Sequence, residues 1–285
     1  YEWRSDAAST LVWAEAQDKG DPNLKSDVRD AIYTLKAPFS QKPFKLFTTA
    51  SRYGGVEWGN KNYAIVEEHW RKDRKSKLTL INPDHGKVIK ELLNRSSEDT
   101  YTDKGNFVYG KGPYAAKVLL FDSADKNAVF TIGTGSSPQG DRPFILKWNL
   151  LSNKQDTLFK SNAPFYEEPV FFNNSGTVYI SRESVKETPN IFAVKLSDKS
   201  ETALTSFTDP YPGMEGVQKS LLSYPRKDGV QLSATLYLPK GYKKEDGPLP
   251  VLVWAYPREF KTLAAAGQVK GSPYRFTRLA FRSPV

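Results

Sequence analysis

Short apolar, β-branched or aromatic runs recur along the chain with polar turns between them. Leu11–Glu15, Tyr63–Glu67, Ala128–Ile132 and Thr177–Ser181 share this pattern. Polar turns such as Ser123–Asn127 and Asn173–Gly176 precede them, and an aromatic stands ahead of each turn: Trp3, Trp58, Phe121 and Phe172. A second run follows each, beginning at Ile32, Leu78, Ile145 and Ile191. After three of these comes another turn: Asn82–Gly86, Ser152–Gln155 and Ser197–Ser200. A third run closes each unit: Lys45–Phe47, Val88–Leu92, Thr157–Phe159 and Thr202–Leu204. Runs this short, bounded by turn residues, predict strands.

The second runs set the period. Ile32 and Leu78 are 46 residues apart, Leu78 and Ile145 are 67 apart, and Ile145 and Ile191 are again 46 apart. Several strands per unit at this spacing predict about four blades of a β-propeller. The long interval holds Arg95–Tyr114, rich in Ser, Asp, Lys and Gly, read as a blade-edge insertion or a loop over one face. A β-sandwich is the competing architecture; it accounts for the strands but not for the repeat.

The pattern changes after the turn-rich stretch Thr208–Gly213. Leu221–Tyr224 and Val230–Leu238 predict a hairpin about Pro225–Gly229, where Asp228-Gly229 is a turn signal. Val251–Ala255 is continuously apolar and predicts a strand buried on both faces, with the loop Tyr256–Phe260 at its C-terminal end. The chain starts at Tyr1 rather than Met, and Arg282–Val285 carries no helix cap or completed hairpin, so both ends are expected to be breaks in a longer chain.

Composition fits a mainly β chain: 13% of the 285 residues are aromatic, with 19 Gly and 19 Pro to punctuate strands. No apolar run approaches membrane-spanning length. The net charge of +9 suits either a basic surface or an acidic partner. Its densest part, Arg71–Lys77, is expected to be a charged hairpin tip, and no nucleic-acid module accompanies it. With no cysteine, disulfides, thiolate metal sites and cysteine nucleophiles are excluded.

Asp228–Leu232, Leu236–Tyr242 and Leu249–Pro257 together resemble the opening of the hydrolase domain in the prolyl oligopeptidase family. The tail Ala265–Pro273 is similar to the glutamyl endopeptidase branch, which has chloroplast and bacterial members. Glu2–Asp6, Trp13–Ala16 and Gly20–Pro22 resemble that branch's propeller. The resemblance implies propeller blades over residues 1–212 and the first strands of an α/β-hydrolase domain over 213–285. It also implies serine catalysis on peptide substrates, gated by the propeller, without a cofactor. A bacterial periplasmic or secreted location is the expectation that goes with it.

A serine nucleophile needs a histidine base and an orienting carboxylate. The chain has two histidines, His69 and His85, both in the repeat and both expected to be surface or turn residues. No G-x-S-x-G elbow is present; Gly135–Gly140 has the wrong spacing. The triad is therefore expected beyond Val285, and the chain alone is expected to be inactive. By resemblance, Tyr256 stands where relatives carry an oxyanion-hole tyrosine; otherwise it caps the strand. Arg258 is the candidate for holding an acidic side chain at a glutamate-preferring site, and a surface pair with Glu259 is its other reading. Gly54-Gly55 and Gly133-Thr134-Gly135 are too short to cradle a phosphate, and no metal-ligand cluster appears. The alternative function is a non-catalytic propeller that binds a peptide or protein.

Overall fold

The computed structural model describes residues 1–210, 212–256 and 258–277. Tyr211 of the expected boundary, Pro257 and the terminal Arg282–Val285 lie outside the described residues. Twenty strands are described in chain order. The first sheet is β1 (Glu2–Trp3), β2 (Thr10–Ala16), β3 (Asp30–Lys36) and β4 (Phe44–Thr49), paired in that order. The second is β5 (Arg52–Asn60), β6 (Tyr63–Trp70), β7 (Lys75–Ile81) and β8 (Val88–Ser96). Next come β9 (Asn106–Phe107) and a small hairpin of β10 (Tyr109–Lys111) and β11 (Lys117–Leu119). With β12 (Ala128–Gly133), β13 (Phe144–Asn149) and β14 (Gln155–Lys160), β9 forms the third sheet, in the order β14-β13-β12-β9. The fourth is β15 (Tyr166–Phe172), β16 (Thr177–Glu183), β17 (Asn190–Lys195) and β18 (Glu201–Ala203). A separate hairpin joins β19 (Gln218–Pro225) to β20 (Gln231–Leu238).

The chain is thus mainly β, with four four-stranded sheets at the four repeats read from sequence. The predicted runs are the second, third and fourth strands of each sheet. Each sheet also has a first strand, and the aromatics Trp3, Trp58 and Phe172 lie on three of these. Phe121 instead forms an isolated bridge to Val129. The long interval contains β9 and the β10–β11 hairpin. The basic run forms the β6–β7 turn and the start of β7, and ion pairs offset part of its charge: Arg74 with Glu98 at 3.0 Å and Lys77 with Glu68 at 3.5 Å.

Two compact units are distinguished. The first comprises Tyr1–Glu98, Asn106–Thr131 and Lys147–Asp156. Its core shows why these strands have their composition. Ala64 and Val66 of β6 pack with Val12, Ile32, Leu46 and Trp58 on one face. Ile65, between them, packs on the other face with Leu92, Leu119, Val129 and Trp148. Ile81 and Leu80 of β7 divide in the same way. Side chains alternate with a period of two, so a run apolar at every position fits a sheet that is dry on both faces. A sandwich gives each sheet one dry face; here the second sheet has two, as consecutive blades require. Complete burial of Ile65 or Leu80 contributes about 1.5–3 kcal/mol each.

The second unit comprises Asp99–Gly105, Ile132–Leu146 and Thr157–Val285, described as far as 277. Val178 and Ile180 are buried in its fourth sheet. At the end of β16, the Arg182 guanidinium lies between the Phe165 and Phe192 rings, 5.1 and 4.5 Å from their centroids, and pairs with Glu167 and Glu201. The β19–β20 hairpin matches the sequence expectation.

One expectation fails. Val251–Ala255 forms no strand and is exposed, with Val251 82% and Trp254 68% accessible. A central strand needs hydrogen-bonded neighbours on both edges and covering layers on both faces. Among the described residues nothing pairs with this run, so its composition has no sheet to act in.

Candidate functional site

Tyr256 and Arg258 lie in the irregular segment that follows the β19–β20 hairpin, and both are exposed. The phenol of Tyr256 has no hydrogen-bond partner among the described residues. Both side chains border an open cleft of about 370 Å³, together with Leu221, Arg226, Phe260 and Lys270. Three of these bordering groups are cations. Asp228 holds Arg226 by a two-point fork, with Nε and Nη2 donating at 2.8 and 2.7 Å. The fork, reinforced by the Val230 amide, outweighs a burial effect in the opposite direction and holds the Asp228 carboxyl down at about 2. Lys270 sits over the Phe260 ring at 5.0 Å. Among the described residues no ion pair joins Arg258 to Glu259, and Arg258 is exposed where it borders the cleft.

Such a cleft can attract a carboxylate, and guanidinium groups suit one by their two-point donor geometry. Sequence reading singled out Arg258 but passed over Arg226 and Lys270. Arg226 looked like an ordinary turn residue beside the Asp-Gly signal. Lys270 lay inside the tail motif without a charge cluster to mark it.

The two histidines stand elsewhere. His69 is on β6, opposite Arg52 and Ser76. His85 is in the β7–β8 turn, where its Nδ1 accepts from the Lys87 amide at 3.4 Å. Neither imidazole is hydrogen-bonded to a serine hydroxyl or a carboxylate among the described residues. In the Gly135–Gly140 loop, Ser136 donates to Asp141 at 2.8 Å and Ser137 to the Gly140 carbonyl at 2.7 Å, so both hydroxyls tie the loop together. No group of three or more acidic or histidine side chains suited to a metal ion occurs among the described residues.

Consecutive four-stranded antiparallel sheets, packed face to face where the second meets its neighbours, define the chain as a blade-type β protein. No protein-family model matches it. The chain is 35% identical over 300 residues to a rice (Oryza sativa subsp. japonica) protein named "Probable glutamyl endopeptidase, chloroplastic", covering 99% of this chain and 32% of that protein. An Arabidopsis thaliana protein of the same name is 36% identical over 299 residues, covering 99% and 31%. By sequence the chain is thus similar along nearly its whole length to proteins named probable glutamyl endopeptidase, and it spans about a third of their length. Among solved structures, dipeptidyl peptidase 4 of Porphyromonas gingivalis matches with a TM-score of 0.46 at 12% identity, over 75% of this chain and 35% of that one. Oligopeptidase B from Trypanosoma brucei matches at 0.43 and 10%, over 84% and 33%. Both structural likenesses are loose.

Proposed function

We propose that this chain is the blade-bearing part and the opening of the α/β-hydrolase part of a serine peptidase that prefers glutamate at the cleavage site. The observation that carries this reading is 35% identity along 99% of the chain to a protein named for glutamyl endopeptidase activity. In this reading residues 1–212 are propeller blades that gate access, and 213–285 begin the catalytic domain. The substrates are peptides, no cofactor takes part, and the location is extracytoplasmic. The sequence has no G-x-S-x-G elbow, and among the described residues neither histidine is hydrogen-bonded to a serine, so the chain is inactive alone.

The chemistry assigned to its residues is limited. Attack on a peptide carbonyl builds negative charge on the carbonyl oxygen, and a phenol aimed at that oxygen stabilises it. Tyr256 is that donor. Arg258, on the cation-bordered cleft, attracts the carboxylate of a glutamate side chain. Tyr256→Phe in the whole peptidase is expected to lower kcat by about 10²–10³ without lowering the melting temperature. Unchanged turnover removes Tyr256 from the mechanism. A whole protein that cleaves no peptide in a glutamate-containing library would instead support a non-catalytic peptide-binding propeller.

A further inference from the structure

Residues 262–277 differ from the segment before them. Thr262 caps a single helical turn, α1 (Leu263–Ala266), its Oγ1 accepting from the Ala265 amide at 3.2 Å. The chain beyond α1 is irregular, yet Val269, Ser272, Phe276 and Thr277 are buried. Buried backbone outside helix and sheet must find other partners for its amides. Here they come from three places far off in sequence.

The first anchor is the segment 99–101. Gln268 Oε1 accepts from both the amide and the hydroxyl of Thr100 at 2.8 Å, and its Nε2 donates to Asp99 at 2.6 Å. The Val269 amide donates to the Tyr101 hydroxyl at 2.7 Å. The second is Asp141: its carboxylate accepts from the Gly271 amide at 3.0 Å, and its own amide donates to the Gly271 carbonyl at 2.8 Å. Gly140 permits this approach. It has φ +100°, and a Cβ there would lie 2.8 Å from the Gly271 oxygen. The third is Glu183, which accepts from Arg275 Nε at 3.2 Å and from the Phe276 amide at 3.0 Å, while the Arg275 guanidinium lies 4.4 Å from the Tyr166 ring centroid.

The candidate-site loop ends at Phe260, two residues before Thr262, and the Phe260 ring lies against Lys270 of the following segment, 5.0 Å from its Nζ. The loop's position relative to the sheet loops is therefore set by what holds 262–277. We infer that residues 262–277 are a strap that positions the loop 256–260, and that Asp99, Asp141 and Glu183 are positioning residues for the reaction this loop serves. The reaction rests on the functional reading above; the holding does not.

The absence of cysteine allows a clean test. Spin labels at Glu259→Cys and Lys160→Cys, both exposed positions, report the distance from the loop to the fourth strand of the third sheet. The intact chain is expected to give a narrow distance distribution. Arg275→Ala and Gln268→Ala should broaden it about twofold, and Arg275→Lys should restore most of the narrowness. Gly140→Ala, a wedge under the strap that removes no hydrogen-bonding side chain, should broaden it as well. If Arg275→Ala loses its β circular dichroism, Gln268→Ala and Gly140→Ala decide. Unbroadened distributions in both overturn the strap. In the whole peptidase, Gln268→Ala is expected to lower kcat about tenfold with KM little changed, as misplacement of a reacting group does. Broadening with unchanged kcat overturns the positioning role. Absence of peptide cleavage by the unmutated whole protein overturns the functional reading, while the distance measurement still judges the strap.

Discussion

Asp18 shows how single side chains hold the first unit together. Its carboxylate is fully buried and accepts from Arg29 Nη1 at 2.7 Å and from Arg52 Nη2 at 2.7 and 2.8 Å. Arg52 also binds Asp30 at 2.9 Å, so two acids meet two bases. Both guanidinium groups lie over the Trp70 ring, at 4.6 and 5.9 Å. Burial alone would push the Asp18 carboxyl up, but the hydrogen bonds from Arg29 and Arg52 overcome it and bring it down to about 2. Because the folded value lies below the unfolded one, Asp18 contributes stability above the ordinary carboxylate range, and that contribution is lost as pH falls through about 2. Asp18→Asn is therefore expected to lower the urea midpoint near neutral pH. Its deficit against the unmutated chain should shrink steadily between about pH 4 and pH 2. A deficit that stays constant over that range would separate Asp18 from the ionic network.

At the scale of elements, turns set how closely the sheets approach. Gly86, in the turn between β7 and β8, has φ +67°, and a Cβ on it would fall 1.6 Å from the Leu46 carbonyl oxygen. Gly86→Ala is expected to destabilise the chain by about 3 kcal/mol, since both the backbone conformation and the contact are lost. Thermal or urea unfolding measures this, and an effect near zero would show that the β7–β8 turn can move away from β4. Three strands of every sheet were legible in sequence because short runs bounded by polar turns recur from unit to unit, and the second strand of each, such as Ala64–Val66 in β6, is apolar at successive positions. The first strands were not, for local reasons. β1 and β9 are two residues long, β5 contains Gly54-Gly55 and two register shifts, and β15 is interrupted at Pro169 by a bulge. Val251–Ala255 misled in the opposite direction. An apolar run states that a strand would need cover on both faces, not that the cover is there. Of the candidate residues, Tyr256 is singled out by resemblance and Arg258 by the positive charge that an acidic side chain would require, and both border the cleft. The three anchors of the strap were not legible, because Asp99, Asp141 and Glu183 look like ordinary polar residues until the fold brings 268–276 to them.

For the whole molecule, two sequence counts govern the expected chemistry. The chain has two histidines and no nucleophile elbow. Both histidines are accounted for on β6 and in the β7–β8 turn. A fluorophosphonate serine probe is therefore expected to label no residue of this chain, as read by mass spectrometry of its peptides; an adduct on any serine would overturn the assignment of the triad to another part of the protein. No helix among the described residues is long and apolar enough to cross a membrane.

The two-faced burial of β6 bears on how the repeat can change. Ala64 and Val66 answer to the sheet before it, Ile65 to the sheet after it. Neighbouring letters of one strand are thus written for different readers. Although the four sheets look like copies of one module, this one is fitted to its particular predecessor and successor. Duplicating, deleting or reordering units by recombination would break two fitted interfaces at once, so sequence drift in β6 must be matched on both sides while the order of the units stays fixed.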